Sequence, residues 1–171
     1  MMKATITKRR LAILLTVTGV CAFAGAALAT PPSGIVSSTV VARAGFVDPV
    51  DIKFKVDGGP QEVINVRDAQ QTVMQQIVIG PGGSTGWHSH PGPVVVLIKA
   101  GELTLYSGDD PTCTGRTYSA GQAFIDSGQG HVHIGRNQSA SENVELWVTY
   151  FDVPPGGPFR LDAAAPGNCP F

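Results

Sequence analysis

Asp51-Ile52-Lys53-Phe54-Lys55-Val56 alternates polar and apolar residues one for one, then stops at Asp57-Gly58-Gly59-Pro60. A period of two marks a strand with one covered face. Other stretches rich in β-branched residues are Val36 to Val41, Glu62 to Arg67, Thr72 to Ile79, Val94 to Ile98, Glu102 to Tyr106 and Val144 to Val153. Shorter strand candidates are Arg116 to Tyr118, Ala123 to Ile125 and His131 to Ile134. Breakers such as Gly80-Pro81-Gly82-Gly83, Ala100-Gly101 and Gly108-Asp109-Asp110-Pro111 part them. No stretch from Thr30 onward carries the helical period. Short strands separated by Gly/Pro turns predict an all-β antiparallel sandwich or barrel. The segment from Pro154 onward, poor in strand formers, is expected to wrap the outside.

The first 29 residues follow a different pattern. Lys3, Lys8, Arg9 and Arg10 precede an apolar run from Leu11 to Gly25, and Ala27-Leu28-Ala29 supplies small residues. That order predicts a secretory signal peptide cleaved after Ala29. An uncleaved anchor is the alternative, for which the run is short. A lipoprotein site at Cys21 is disfavoured by the large Val20 before it. The expected location is secreted or periplasmic, with residues 30–153 as one domain and 154–171 as a tail. Removing the leader removes four basic residues and no acidic one, so the net charge moves from −1 to −5. An acidic surface without a basic cluster argues against nucleic acid and anionic membranes as partners. Cys113 and Cys169 would then be the remaining cysteines, and an even count in an exported chain predicts a disulfide between them.

Candidate chemistry lies in the histidines. All four fall in two His-x-His pairs, His88-Ser89-His90 and His131-Val132-His133. Residues i and i+2 of a strand face the same side, so each pair can offer two imidazoles to one pocket, as a metal site requires. The cysteines have no partner cysteine or histidine nearby in sequence and are not read as ligands.

The spacing resembles the cupin superfamily. The first cupin motif runs Gly, five residues, His-x-His, three or four residues, Glu, six residues, Gly. Gly82, His88, His90 and Gly101 match it, and Val94 stands at the Glu position. The second motif ends in Pro-x-Gly, two residues, His, three residues, Asn. Gly121, Gly130, His133 and Asn137 match, with Gly128 in place of the proline and one extra residue after Gly121. A second register uses His131 and loses the asparagine, leaving His131 as the alternate ligand. The resemblance implies a double-stranded β-helix, or jelly-roll barrel, holding one divalent transition metal (Zn, Fe, Mn, Ni or Cu) on His88, His90 and His133. It also implies a small-molecule ligand in the barrel mouth.

A three-His site without a carboxylate keeps the full charge of its ion and favours anionic ligands. Oxygenase and isomerase chemistry are both compatible with it, and so is a degenerate barrel that binds a small ligand without metal or turnover. The sequence assigns no general base. Glu102, Glu142 and Glu145 lack motif support, and Gln76 is read as a solvent-facing strand residue in preference to a pocket residue. Trp87, Tyr106, Phe124, Trp147 and Tyr150 are read as core or rim. The segment Val36 to Val41 could add to a neighbouring copy's sheet, making a homodimer a further expectation.

Overall fold

A computed structural model describes residues 29–57 and 62–171. Residues 1–28 of the expected leader lie outside those residues; Ala29, after which cleavage is expected, forms an isolated bridge with Ala164. Among the described residues there is no helix. In chain order the strands are β1 (Ser33–Gly45), β2 (Ile52–Val56), β3 (Glu62–Val66), β4 (Gln71–Ser84), β5 (His88–Ser89) and β6 (Val94–Ala100). They continue as β7 (Glu102–Ser107), β8 (Arg116–Ser119), β9 (Ala123–Asp126), β10 (His133–Arg136), β11 (Val144–Val153) and β12 (Leu161–Asp162).

Ten strands pair antiparallel into two walls of a jelly roll. One wall runs β1-β4-β11-β6-β9 and the other β12-β5-β10-β7-β8. They join where Ser84, at the far end of β4, pairs with Arg136 of β10. Hairpin β2-β3 stands apart from this sheet, its Phe54 ring 5.9 Å from Phe151.

Alternation places the core between the walls. Val73 and Ile79 of β4, Val94, Val96 and Ile98 of β6, Leu103 of β7, and Val144, Leu146, Val148 and Tyr150 of β11 form one buried cluster. Full burial of such a side chain contributes about 1.5–3 kcal/mol. The intervening residues Thr72, Met74 and Gln76 take the other face of β4. Gln76 accordingly points away from the cavity and donates to Glu145 Oε1 at 2.8 Å.

Three expectations change. The glycine-rich stretch after Ile79 is strand and not turn, because β1 and β4 cross there at close range. A Cβ on Gly34, whose φ is +62°, would sit 2.8 Å from Gly83 Cα. His131 is not in a strand, since β10 begins at His133, so the period-two argument does not reach it. The tail does more than wrap the outside: β12 pairs with β5, aligning Asp162 with His88 and Leu161 with Ser89. The Cys113–Cys169 disulfide is formed, across 56 residues.

Candidate metal centre

His88 and His133 are register partners on β5 and β10, and His90 follows β5 directly. All three are buried, at 4–6% exposure. Their ring centroids lie 4.8 Å (His88–His90), 4.4 Å (His88–His133) and 5.2 Å (His90–His133) apart. One ring nitrogen from each lies within 4.8 Å of the other two.

The outer nitrogens are held from behind. His88 Nδ1 donates to Gly86 O and His90 Nδ1 to Phe159 O, each at 2.8 Å. His133 Nδ1 lies 3.1 Å from Asp126 Oδ2, angled off the line of a hydrogen bond. An imidazole that gives its Nδ1 proton to an acceptor leaves Nε2 as a lone-pair donor in a set orientation. Burial holds His88 well below the ordinary histidine range and lowers His90 to about 4, with the neighbouring His133 adding to both shifts. Both rings are therefore neutral near pH 7, the form that binds metal. The donor set fits a divalent transition metal ion.

Asp126 is the residue that sequence reasoning missed. It is the cross-strand partner of Val94, so a carboxylate stands directly opposite the position where the motif expects one. Its oxygens receive His131 Nδ1 at 2.7 Å and the Gly128 amide at 2.9 Å. Burial opposes its ionisation, but the His131 hydrogen bond and the imidazoles of His131 and His133 beside it hold it well below the carboxylate range. The available sequence signal was an acidic residue closing an apolar strand between the two motifs.

His131 sits outside the triad. Its Nε2 faces Ser107 Oγ at 2.8 Å, Ser107 in turn donates to Asp109, and its ring stacks on His133 with centroids 5.7 Å apart. Both nitrogens are engaged, and the Asp126 hydrogen bond raises its pKa against the opposing effect of burial. It forms a second group with Asp126 and His133.

Gly128 explains itself structurally. Its φ is +61°, and a Cβ there would collide with the Gly92 carbonyl. The loop before β10 thus packs backbone to backbone on the loop after His90, where the Gly130 amide donates to His90 O at 3.3 Å. Asn137, 2% exposed, donates to Ile79 O, Gly80 O and Glu142 O and closes the β10–β11 turn.

The chamber in front of the triad is apolar, lined by Ile77, Val94, Val96, Leu105, Phe124 and Leu146 among others. Tyr150 lies against His90, centroids 5.1 Å apart, and its hydroxyl donates to Gln75 Oε1 at 2.6 Å. Trp87 is fully buried, whereas Tyr106 packs on Phe171 near the surface. Trp147 is bonded to Glu145 on the outer face. Glu102 bonds Ser119, and neither it nor Glu142 nor Glu145 lines this chamber.

No family model matches the chain, and no curated protein matches it. Among solved structures it is similar to an oxalate oxidase, at 22% identity over 53% of this chain and 45% of that one, TM-score 0.43. It is also similar to a cupin-like protein from Thermotoga maritima, at 21% identity over 55% of this chain and 65% of that one, TM-score 0.43. A third is the Cupin_2 domain of an XRE-family transcriptional regulator from Enterobacter cloacae, at 23% identity over 49% of this chain and 83% of that domain, TM-score 0.39. These neighbours include cupins. The match spans less than half the length of the oxalate oxidase. At such identities and scores the likeness carries no argument about reaction, and the all-β jelly roll rests on the chain's own strand order.

Proposed function

We propose that this chain binds one divalent transition metal ion through His88, His90 and His133 and acts on a small molecule in the barrel mouth, in an oxidising, extracytoplasmic compartment. The supporting observation is a buried cluster of three imidazoles, two with Nδ1 bonded to a backbone carbonyl and the third with Nδ1 facing a carboxylate. Without metal, the inward nitrogens of His88 and His90 are desolvated acceptors at close range, which is unfavourable. The Cys113–Cys169 disulfide supports the compartment.

The metal would supply Lewis acidity, or redox capacity if it is Fe, Mn or Cu. The chain's own residues orient and exclude. Asp126 and the Gly86 and Phe159 carbonyls set the ring planes, while Val94 and Phe124 keep water off the interior. Oxygenase or isomerase activity is the reaction class this arrangement suits best. Val94 in place of a carboxylate favours one alternative, a metal-free pocket holding a small ligand without turnover.

Elemental analysis of the purified chain beside His88→Ala and His133→Ala tests the reading. About one transition metal per chain, lost in both variants while circular dichroism stays native, supports it. A native chain that refuses added Zn, Fe, Mn, Ni and Cu sinks it and leaves the alternative.

A further inference from the structure

The tail brings one cation to the mouth of the site. Arg160 precedes β12, and the pairing of β12 with β5 carries it beside His88. Its Nε donates to Asp162 Oδ1 at 2.8 Å and its Nη2 to Thr85 O at 2.7 Å. Among the described residues no acceptor meets Nη1. Arg160 side-chain exposure is 24%, against 55% for Asp162, so the pair's negative end is the more solvated one.

Arg160 lines a second chamber with Ser38, Gln75, His88 and Tyr150. This chamber shares Ile77, Thr85, His88 and Tyr150 with the histidine chamber, so the two adjoin along one wall. Among the described residues the only carboxylate lining the histidine chamber is Asp126, which already faces His131 and His133. A ligand spanning the two chambers has the guanidinium beside His88 at one end and the apolar interior in front of the triad at the other. The cavity volume is about 90 Å³ beside Arg160 and about 40 Å³ in the histidine chamber. At roughly 10–15 Å³ per water, that holds a ligand of a few heavy atoms.

We infer that Arg160 is the substrate-positioning residue of this site and that its ligand class is the short aliphatic carboxylates, the carboxylate meeting Nη1 and the carbon chain entering the apolar chamber. A planar guanidinium edge suits a planar carboxylate, and partial burial strengthens the charge-assisted bond. The inference deepens the metal-site reading proposed above and rests on it.

The test titrates the full zinc-loaded chain calorimetrically with formate, acetate, propionate and butyrate, with propionamide as the neutral isostere and inorganic phosphate as a different anion. Propionate should bind and propionamide should not. Arg160→Gln should weaken propionate at least about tenfold with zinc content unchanged, and Arg160→Lys should lose less. Equal binding of propionate and propionamide, tighter binding of phosphate than of any carboxylate, or wild-type affinity in a natively folded Arg160→Gln overturns the inference and leaves the metal reading standing. Should Arg160→Gln fail to fold, the propionate–propionamide comparison is repeated on the metal-free wild type, where no ion holds the carboxylate: propionate selectivity there upholds the inference and its absence overturns it. A chain that takes no zinc fails the metal reading. The same titration then decides the inference separately: carboxylate-selective uptake by the metal-free chain upholds Arg160, and no uptake overturns it.

Discussion

The neutral, buried histidines should make the metal-free protein sensitive to mild acid. His90 falls from an ordinary value of 6.5 to about 4 because burial and the neighbouring His133 disfavour its charged form. A depressed histidine leaves the unfolded chain holding the extra proton between those two values. Its contribution is therefore fully present above pH 6.5 and is lost as pH falls toward 4. At about 1.4 kcal/mol per pH unit, His90 alone costs about 2 kcal/mol by pH 5 and about 3 kcal/mol over the whole window. His88 shifts the same way and adds to the loss. His131 is shifted upward, so its stabilisation is complete below its unfolded value and fades only at higher pH. The depression of Asp126 acts below its ordinary value of 3.8, outside the window. Urea unfolding in chelator, repeated from pH 7 to pH 5, measures the slope. His90→Gln, whose amide can still donate to Phe159 O, should remove about one proton's worth of it. A wild-type stability flat across that range, or a slope unchanged in His90→Gln, would refute the picture of desolvated neutral rings.

Asp126→Asn should weaken metal binding by roughly 10–100-fold through loss of the group behind His133, read by chelator competition; an unchanged affinity would mean that the carboxylate serves only His131. Opening the disulfide with Cys113→Ser and Cys169→Ser together should cost about 4 kcal/mol on the chain-entropy model for a separation of 56 residues, measured by urea unfolding. The same pair should loosen metal binding, because the tail carries the Phe159 carbonyl that holds His90. Val94→Glu restores a carboxyl to a position only 1% exposed and beside Asp126. It should destabilise the metal-free chain by about 3 kcal/mol or more and recover part of that loss on zinc addition, both read from melting temperatures.

Strand positions were largely legible in the sequence, because alternation and Gly/Pro punctuation are local. The apolar run Val144 to Val153 coincides with β11 at both ends. Gly80–Gly83 reads as a turn in sequence and is strand in the fold, because glycine marks both turns and close strand crossings, and only the presence of Gly34 against Gly83 distinguishes them. Spacing singled out His88, His90 and His133, since i, i+2 geometry and the motif glycines are short-range features. The same periodicity does not reach His131, because its segment precedes β10 and is held by Asp126, although its ring still joins Asp126 and His133 in a second group.

The sequence by itself determined the period of the strands, the apolar face that becomes the core, and the two histidine pairs. Tertiary structure decided what surrounds those histidines. Asp126 reaches His133 because β9 pairs beside β6, Phe159 reaches His90, and Arg160 reaches the mouth because β12 adds to β5. Phe159 lies 69 residues along the chain from the histidine it holds. Nothing local in either segment encodes that meeting, which follows from strand order and register, set by burial of a shared core.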